Sequence, residues 1–212
     1  MIEAVLFDYG MVLSGPANPS WWQEMCRVTA LEEDPLQQAY WAPRHAYDRG
    51  LYTGNEYWQA VGRHAGIELN ADQILTLINA DTALWTTPNQ PMIDWAARLQ
   101  AAGTKTGILS NLGDAMTKGV LEQMPWMRAF DHKTFSYSLK LAKPELEIYH
   151  RAAQGLNTAP ECILFIDDRA ENCDAGRQAR MQVVQYARHE EFLSEMQSRG
   201  WEQLWLTGNF PV

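Results

Sequence analysis

The chain has 212 residues, 46% of them hydrophobic and 20% charged, and a formal net charge of −9. That length exceeds the usual compact domain, so one full core with a smaller inserted or appended lobe is expected. The acidic balance opposes the phosphate backbone of nucleic acids, and no segment approaches the roughly 20 apolar residues of a membrane span, so neither is an expected partner.

Residues 4–7 form an apolar strand with no basic start, long apolar run or small-residue cleavage site around it, so a cytoplasmic location is the default expectation. Turn-forming residues at 14–19 read as a linker. From 20 to 85 the pattern is of helix length with no apolar strand, which predicts an all-helical insertion. Its Trp21, Trp22, Trp41, Trp58 and Trp85 either make a small lobe cohere or line a pocket. A second linker follows at 86–91.

Beyond it, strand-length apolar runs at 106–109, 162–166 and 183–186 alternate with helical patterns at 91–102, 114–122, 145–154 and 170–180. This predicts an α/β fold, a doubly wound parallel sheet, with 1–15 and 88–212 as the core and 16–87 as a helical lobe. A terminal helix is read at 191–199, closed by Gly200, with 201–212 packing on the core. Cys26, Cys162 and Cys173 are odd in number and show no close pairing, so they read as reduced thiols rather than disulfides or zinc ligands. The oligomeric state is left open.

In open α/β sheets reactive groups gather beyond the carboxyl ends of the strands. Here those positions carry Asp8 and Gly10, then Ser110 and Asn111, then Asp167 and Asp168, while a loop ahead of a helix offers Lys143 and Pro144. A carboxylate such as Asp8 attacks phosphorus once the negative charge around the reaction centre is neutralised. Mg2+ suits a set of carboxylate and carbonyl oxygens, and Asp8, the Gly10 carbonyl and Asp168 can supply them. Such an ion also reverses the local field, so the acidic chain can still take a small phosphorylated metabolite. Lys143 adds a fixed positive charge, Ser110 a hydroxyl donor, and the amides of Asn111 and Leu112 reach a phosphoryl oxygen where the chain turns into a helix. Two adjacent carboxylates repel unless held, so Asp167 and Asp168 hint at metal; an N-cap for the next helix is the plainer reading.

VLFDYGMVL, ILSN, KLAKPELEIYH and ILFIDDRAEN, in this order, resemble the four motifs of the haloacid dehalogenase superfamily over nearly the whole chain. The resemblance implies a Rossmann-like core with a helical cap, Asp8 as nucleophile, Ser110 and Lys143 as phosphoryl binders, Asp168 as a direct magnesium ligand and Asp167 as outer or water-mediated support. DRGLYTGNEYW, with turns at Gly50 and Gly54, resembles a cap segment facing the site. Most phosphatases of the superfamily carry a second Asp two residues after the nucleophile, and Gly10 stands there, leaving the general acid unassigned. His45 can substitute, or is simply a cap histidine; Arg44 can hold a second anionic group of the substrate, or is a solvated arginine. Magnesium-dependent hydrolysis of small phosphomonoesters, sugar phosphates among them, is therefore the expected activity. A phosphate-binding protein with weak or no hydrolysis and a metal-free haloacid dehalogenase are the alternatives.

Overall fold

The computed structural model describes residues 1–202 and Leu204. Five parallel strands, β1 (Ala4–Phe7), β2 (Lys105–Ser110), β3 (His132–Phe135), β4 (Ile163–Asp167) and β5 (Gln182–Gln185), form one sheet in the order β3-β2-β1-β4-β5. Apolar runs in β1, β2, β4 and β5 stand within a residue of their expected bounds. β3 is a strand that the apolar pattern does not announce: at the sheet edge HKTF buries only its last two residues, so no apolar run is needed.

Side chains of a strand alternate between faces, and β1 buries both sets. Val5 and Phe7 pack with Met92 and Trp95 of α6 (Gln90–Ala101), Met116 and Val120 of α7 (Asp114–Gln123), and Phe192 and Met196 of α11 (His189–Ser198). Ala4 and Leu6 pack on the other face with Ile148 and Tyr149 of α9 (Leu146–Gly155) and Cys173 of α10 (Ala170–Gln178). The sheet is thus wound with helices on both faces, as the alternating pattern predicts. Trp201 and Leu204 pack against the first of these layers, while 203 and 205–212 of the expected terminal packing lie outside the described residues. All three cysteines are free thiols.

Between the linkers run α1 (Pro19–Thr29), α2 (Glu33–Trp41), α3 (Arg44–Asp48), α4 (Gly54–Ala65) and α5 (Ala71–Leu84), which share a separate core around Tyr40, Tyr57, Trp58 and Leu77. Each long helix starts on a stated cap: Asn18 accepts from Ser20, and capping boxes at Thr53/Glu56 and Asn70/Gln73 open α4 and α5. The two linkers lie side by side. Ser14 bridges Pro88 in antiparallel fashion, Gly15 N–H donates to the Thr87 carbonyl at 2.7 Å, and Asn89 N–H donates to the Leu13 carbonyl at 3.0 Å.

The helical lobe rests on α7 and on α8 (Ser136–Leu139) along a seam built from small residues. A Cβ on Gly54 would stand 2.6 Å from Ala115 Cβ, and one on Gly119 would stand 2.6 Å from Thr82 Cγ2, so the backbones approach as only glycine permits. Gly54 N–H donates to Asp114 Oδ1 at 2.9 Å, and Met116 N–H donates to the Tyr47 hydroxyl at 3.1 Å. Arg49 pairs with Glu145, and Lys140 donates to the Gly50 carbonyl. Gly50, at φ 77°, makes the turn expected of it, whereas Gly54 opens α4 against the core.

Candidate active site

β1 ends in the middle of the sheet, and Asp8 continues its ladder by donating its N–H to the Ile166 carbonyl at 2.8 Å. The carboxylate then accepts from Tyr9 N–H at 2.6 Å, which fixes its rotamer at the head of a wide turn closed by Ser14 N–H on the Tyr9 carbonyl at 2.7 Å. Met11, at the tip of that turn, adopts φ 59°, a left-handed conformation unfavourable for a side-chain-bearing residue. The Tyr9 hydroxyl donates to the Trp85 carbonyl at 2.8 Å, tying this loop to the end of the helical lobe.

Lys143 reaches the same point from the loop before α9. Its Nζ lies 2.9 Å from Asp8 Oδ1 and 2.6 Å from Asp167 Oδ2, and all three side chains are buried. Burial alone would lower the lysine pKa, but Asp167 and Asp8 outweigh it and hold the ammonium above its ordinary value. Asn111 positions this lysine: its Oδ1 accepts from Lys143 N–H at 2.8 Å and its Nδ2 donates to the Lys143 carbonyl at 2.9 Å. Asp167 is fully engaged, accepting also from Arg169 N–H at 2.9 Å and from Asn172 Nδ2 at 3.0 Å.

Asp168 stands beside it, half-buried, and one oxygen from each of Asp8, Asp167 and Asp168 lies within 4.8 Å of the others. One ammonium does not balance three carboxylates. Burial, with Asp167 adding to it, raises the Asp8 carboxyl to about 7 against the pull of Lys143; burial and Asp167 likewise raise Asp168. An all-oxygen donor set with uncompensated charge fits a hard divalent cation such as Mg2+.

These groups open into a cleft of about 420 Å³ between core and helical lobe. The core contributes Asp8, Gly10, Ser110, Asn111, Lys143 and Asp168; the lobe contributes Trp41, Arg44, His45, Asp48 and Trp85. Arg44 is 6% exposed, so it is not a solvated arginine. Its Nε lies 2.9 Å from Asp48 Oδ1 and its Nη1 3.2 Å from Asp81 Oδ1, and Nη1 also donates to the Tyr40 hydroxyl. The rings of Tyr40, Trp41, Tyr47 and Tyr57 surround the guanidinium at 5.1–6.0 Å. Burial lifts the Asp48 carboxyl to about 6 against the pull of Arg44.

All nine residues singled out in the sequence thus meet around the cleft, with Asp167 just behind its wall. One expectation needs correction. Leu112 N–H donates to Ser136 Oγ at 2.9 Å, so it is not available to a phosphoryl oxygen. The first turn of α7 is likewise engaged, by Gly54 and Tyr47 of the helical lobe. Trp22 and Trp58 make the lobe cohere, whereas Trp41 and Trp85 line the cleft, so both readings of the tryptophans apply. Asp48 and Asn172 lie in the segments DRGLYTGNEYW and ILFIDDRAEN without having been singled out, and Asp81 lies in neither. Asp48 sits four residues after Arg44 on one helix, a spacing that could have found it; Asp81 carries no local signal.

The sequence pattern of the family described as haloacid dehalogenase-like hydrolases matches residues 15–180. Among curated proteins the chain is 28% identical to an (S)-2-haloacid dehalogenase of Pseudomonas sp. (strain YL), over 66% of this chain and 60% of that protein. It is 31% identical to bifunctional epoxide hydrolase 2 of Rattus norvegicus over 45% of this chain and 18% of that protein. It therefore spans less than two thirds of these relatives. Among solved structures, a HAD family enzyme of Bacteroides thetaiotaomicron in complex with magnesium and inorganic phosphate superposes with TM-score 0.71 at 19% identity, covering 88% of this chain and 95% of that one. The L-2-haloacid dehalogenase of Xanthobacter autotrophicus with chloropropionic acid covalently bound gives 0.67 at 19%, covering 93% and 83%. With a family pattern matched over most of its length and the fold shared with these enzymes, the chain belongs to the haloacid dehalogenase-like hydrolases.

Proposed function

We propose that the protein is a cytoplasmic, magnesium-dependent phosphatase acting on small phosphomonoesters, sugar phosphates among them, through an aspartyl-phosphate on Asp8. The observation that carries this reading is the buried Asp8–Lys143–Asp167 contact with Asp168 alongside, a cluster short of positive charge at the mouth of the sheet. Asp8, Asp168 and the Gly10 carbonyl would hold magnesium, with Asp167 as outer support, and the bound ion supplies charge neutralisation at the phosphoryl group.

Asp8 attacks phosphorus with a carboxylate oxygen, the alcohol leaves with the bonding pair and takes up a proton, and water then cleaves the acyl-phosphate to regenerate Asp8 and release phosphate. Lys143, the Ser110 hydroxyl and the Asn111 backbone amide hold the phosphoryl oxygens; the Asn111 side chain keeps Lys143 in register. His45, in the same cleft, carries the proton that no acid at Gly10 can supply. Arg44 shapes the leaving-group side. Hydrolysis of an aryl phosphate with and without magnesium, by wild type and Asp8→Asn, tests the proposal: activity that survives in Asp8→Asn would contradict it.

A second reading, dehalogenation, draws on the relatives named as (S)-2-haloacid dehalogenases. It would have Asp8 attack carbon and release halide without magnesium. Halide release from a 2-haloacid in a chelator decides between the two.

A further inference from the structure

We infer that the leaving group this cleft accepts is an uncharged alcohol with an apolar face, and that the Arg44–Asp48–Asp81 cluster enforces this by presenting a guanidinium with no charge to spare. The inference rests on the phosphatase reading above and specifies its substrate.

Every lysine and arginine at the cleft is already matched. Lys143 is held between Asp8 and Asp167, Arg169 pairs with Glu171, and Arg44 is held by two carboxylates. Together with Asp168 these make three lysine and arginine cations against six carboxylates, an excess that a proton on His45 reduces by one and does not remove. A divalent ion and the phosphoryl group it receives leave that excess in place, so a carboxylate or second phosphate on the alcohol would enter a negative field in a partly desolvated space. An arginine that receives an anion in a fork needs open paired donors, whereas here Nε and Nη1 are spent on Asp48, Asp81 and Tyr40, which leaves Nη2 alone on a guanidinium ringed by four aromatic side chains. What the lobe offers a ligand instead is apolar: Trp41 is 50% exposed and lines the cleft with Trp85, and the core adds Met11, itself 41% exposed. Such rings take the apolar face of a sugar or an aryl group.

The test is calorimetric binding to wild type in magnesium, using phenylphosphonate and its para-carboxylate derivative, neither of which can be hydrolysed. The ligand without the carboxylate is expected to bind at least about ten-fold more tightly. Asp81→Asn, which keeps the shape and still accepts from Tyr40, frees charge on Arg44 and should narrow the gap to roughly three-fold or less while the affinity for inorganic phosphate stays put. Asp48→Asn should narrow it in the same direction, so a folding defect in one variant does not decide the outcome. Equal or tighter binding of the carboxylate, binding of neither ligand, or a gap unmoved in both folded variants would overturn the inference. If phenyl phosphate itself is not turned over while the gap persists, the phosphatase reading falls and the charge preference stands.

Discussion

Two buried clusters of charge face each other across the cleft, one in the core and one in the cap, and they settle their imbalance differently. In the cap, two carboxylates flank one guanidinium whose remaining surface is covered by four aromatic rings and a tyrosine hydroxyl. It is finished as built. In the core, three carboxylates meet one ammonium, and their oxygens converge to within 4.8 Å, the one such convergence among the described residues. Like residue types therefore make a structural brace on one side and a site that asks for a cation on the other; the difference is where the excess charge is concentrated.

Removing the cation from each cluster sharpens that contrast most. Lys143→Met and Arg44→Leu each leave buried carboxylates unpaired, so both should cost about 3–5 kcal/mol in urea denaturation. Magnesium at roughly 100-fold over its Kd should stabilise both variants by about 2–3 kcal/mol, because Arg44→Leu leaves the core cluster intact; Lys143→Met, with no ammonium between Asp8 and Asp167, should bind the ion more tightly than wild type, whereas Arg44→Leu should bind it as wild type does. Equal magnesium affinity in the two variants would erase the distinction between them.

A smaller effect follows from pH. Asp48 rises in the folded protein to about 6 from an ordinary carboxyl value near 4, so the folded state holds the proton more tightly than the unfolded chain does. Its contribution to stability is therefore full at low pH and is lost as pH rises through about 6, on the order of 2–3 kcal/mol between pH 4 and 6. Asp48→Asn should flatten the wild-type decline across that window, read as denaturant midpoints at a series of pH values. An unchanged slope would mean that Arg44 already keeps Asp48 ionised. Least of all, Gly119→Ala should cost about 1–3 kcal/mol, because the new methyl meets Thr82 along the seam. Thr82→Ala made alongside it, which removes both the methyl and the hydroxyl that the new Cβ would meet, should recover part of that loss.

The core site was legible because its chemistry lies at strand ends, and buried parallel strands announce themselves as apolar runs. Asp8, Ser110, Asp167 and Asp168 each follow or close such a run directly. β3 was not legible, since an edge strand that starts His132–Lys133 needs no such run. Nor was the cap brace. Asp81 meets Tyr40 and Arg44 across 41 and 37 residues of sequence, and nothing in helical spacing encodes which distant helix supplies the counter-charge. The same blindness assigned the Leu112 amide to a ligand, when Ser136 on a different element takes it.

The paired linkers have one more consequence. Because residues 13–15 and 87–89 run against each other, the cap leaves and rejoins the core at a single doorway rather than at two distant points. To the sheet, the whole excursion counts as one loop whose feet touch, and the entropy of closing such a loop grows only slowly with the length enclosed. Helices can be traded, lengthened or trimmed beyond that doorway without shifting the strand that leads into Asp8, so the two walls of the cleft can change separately.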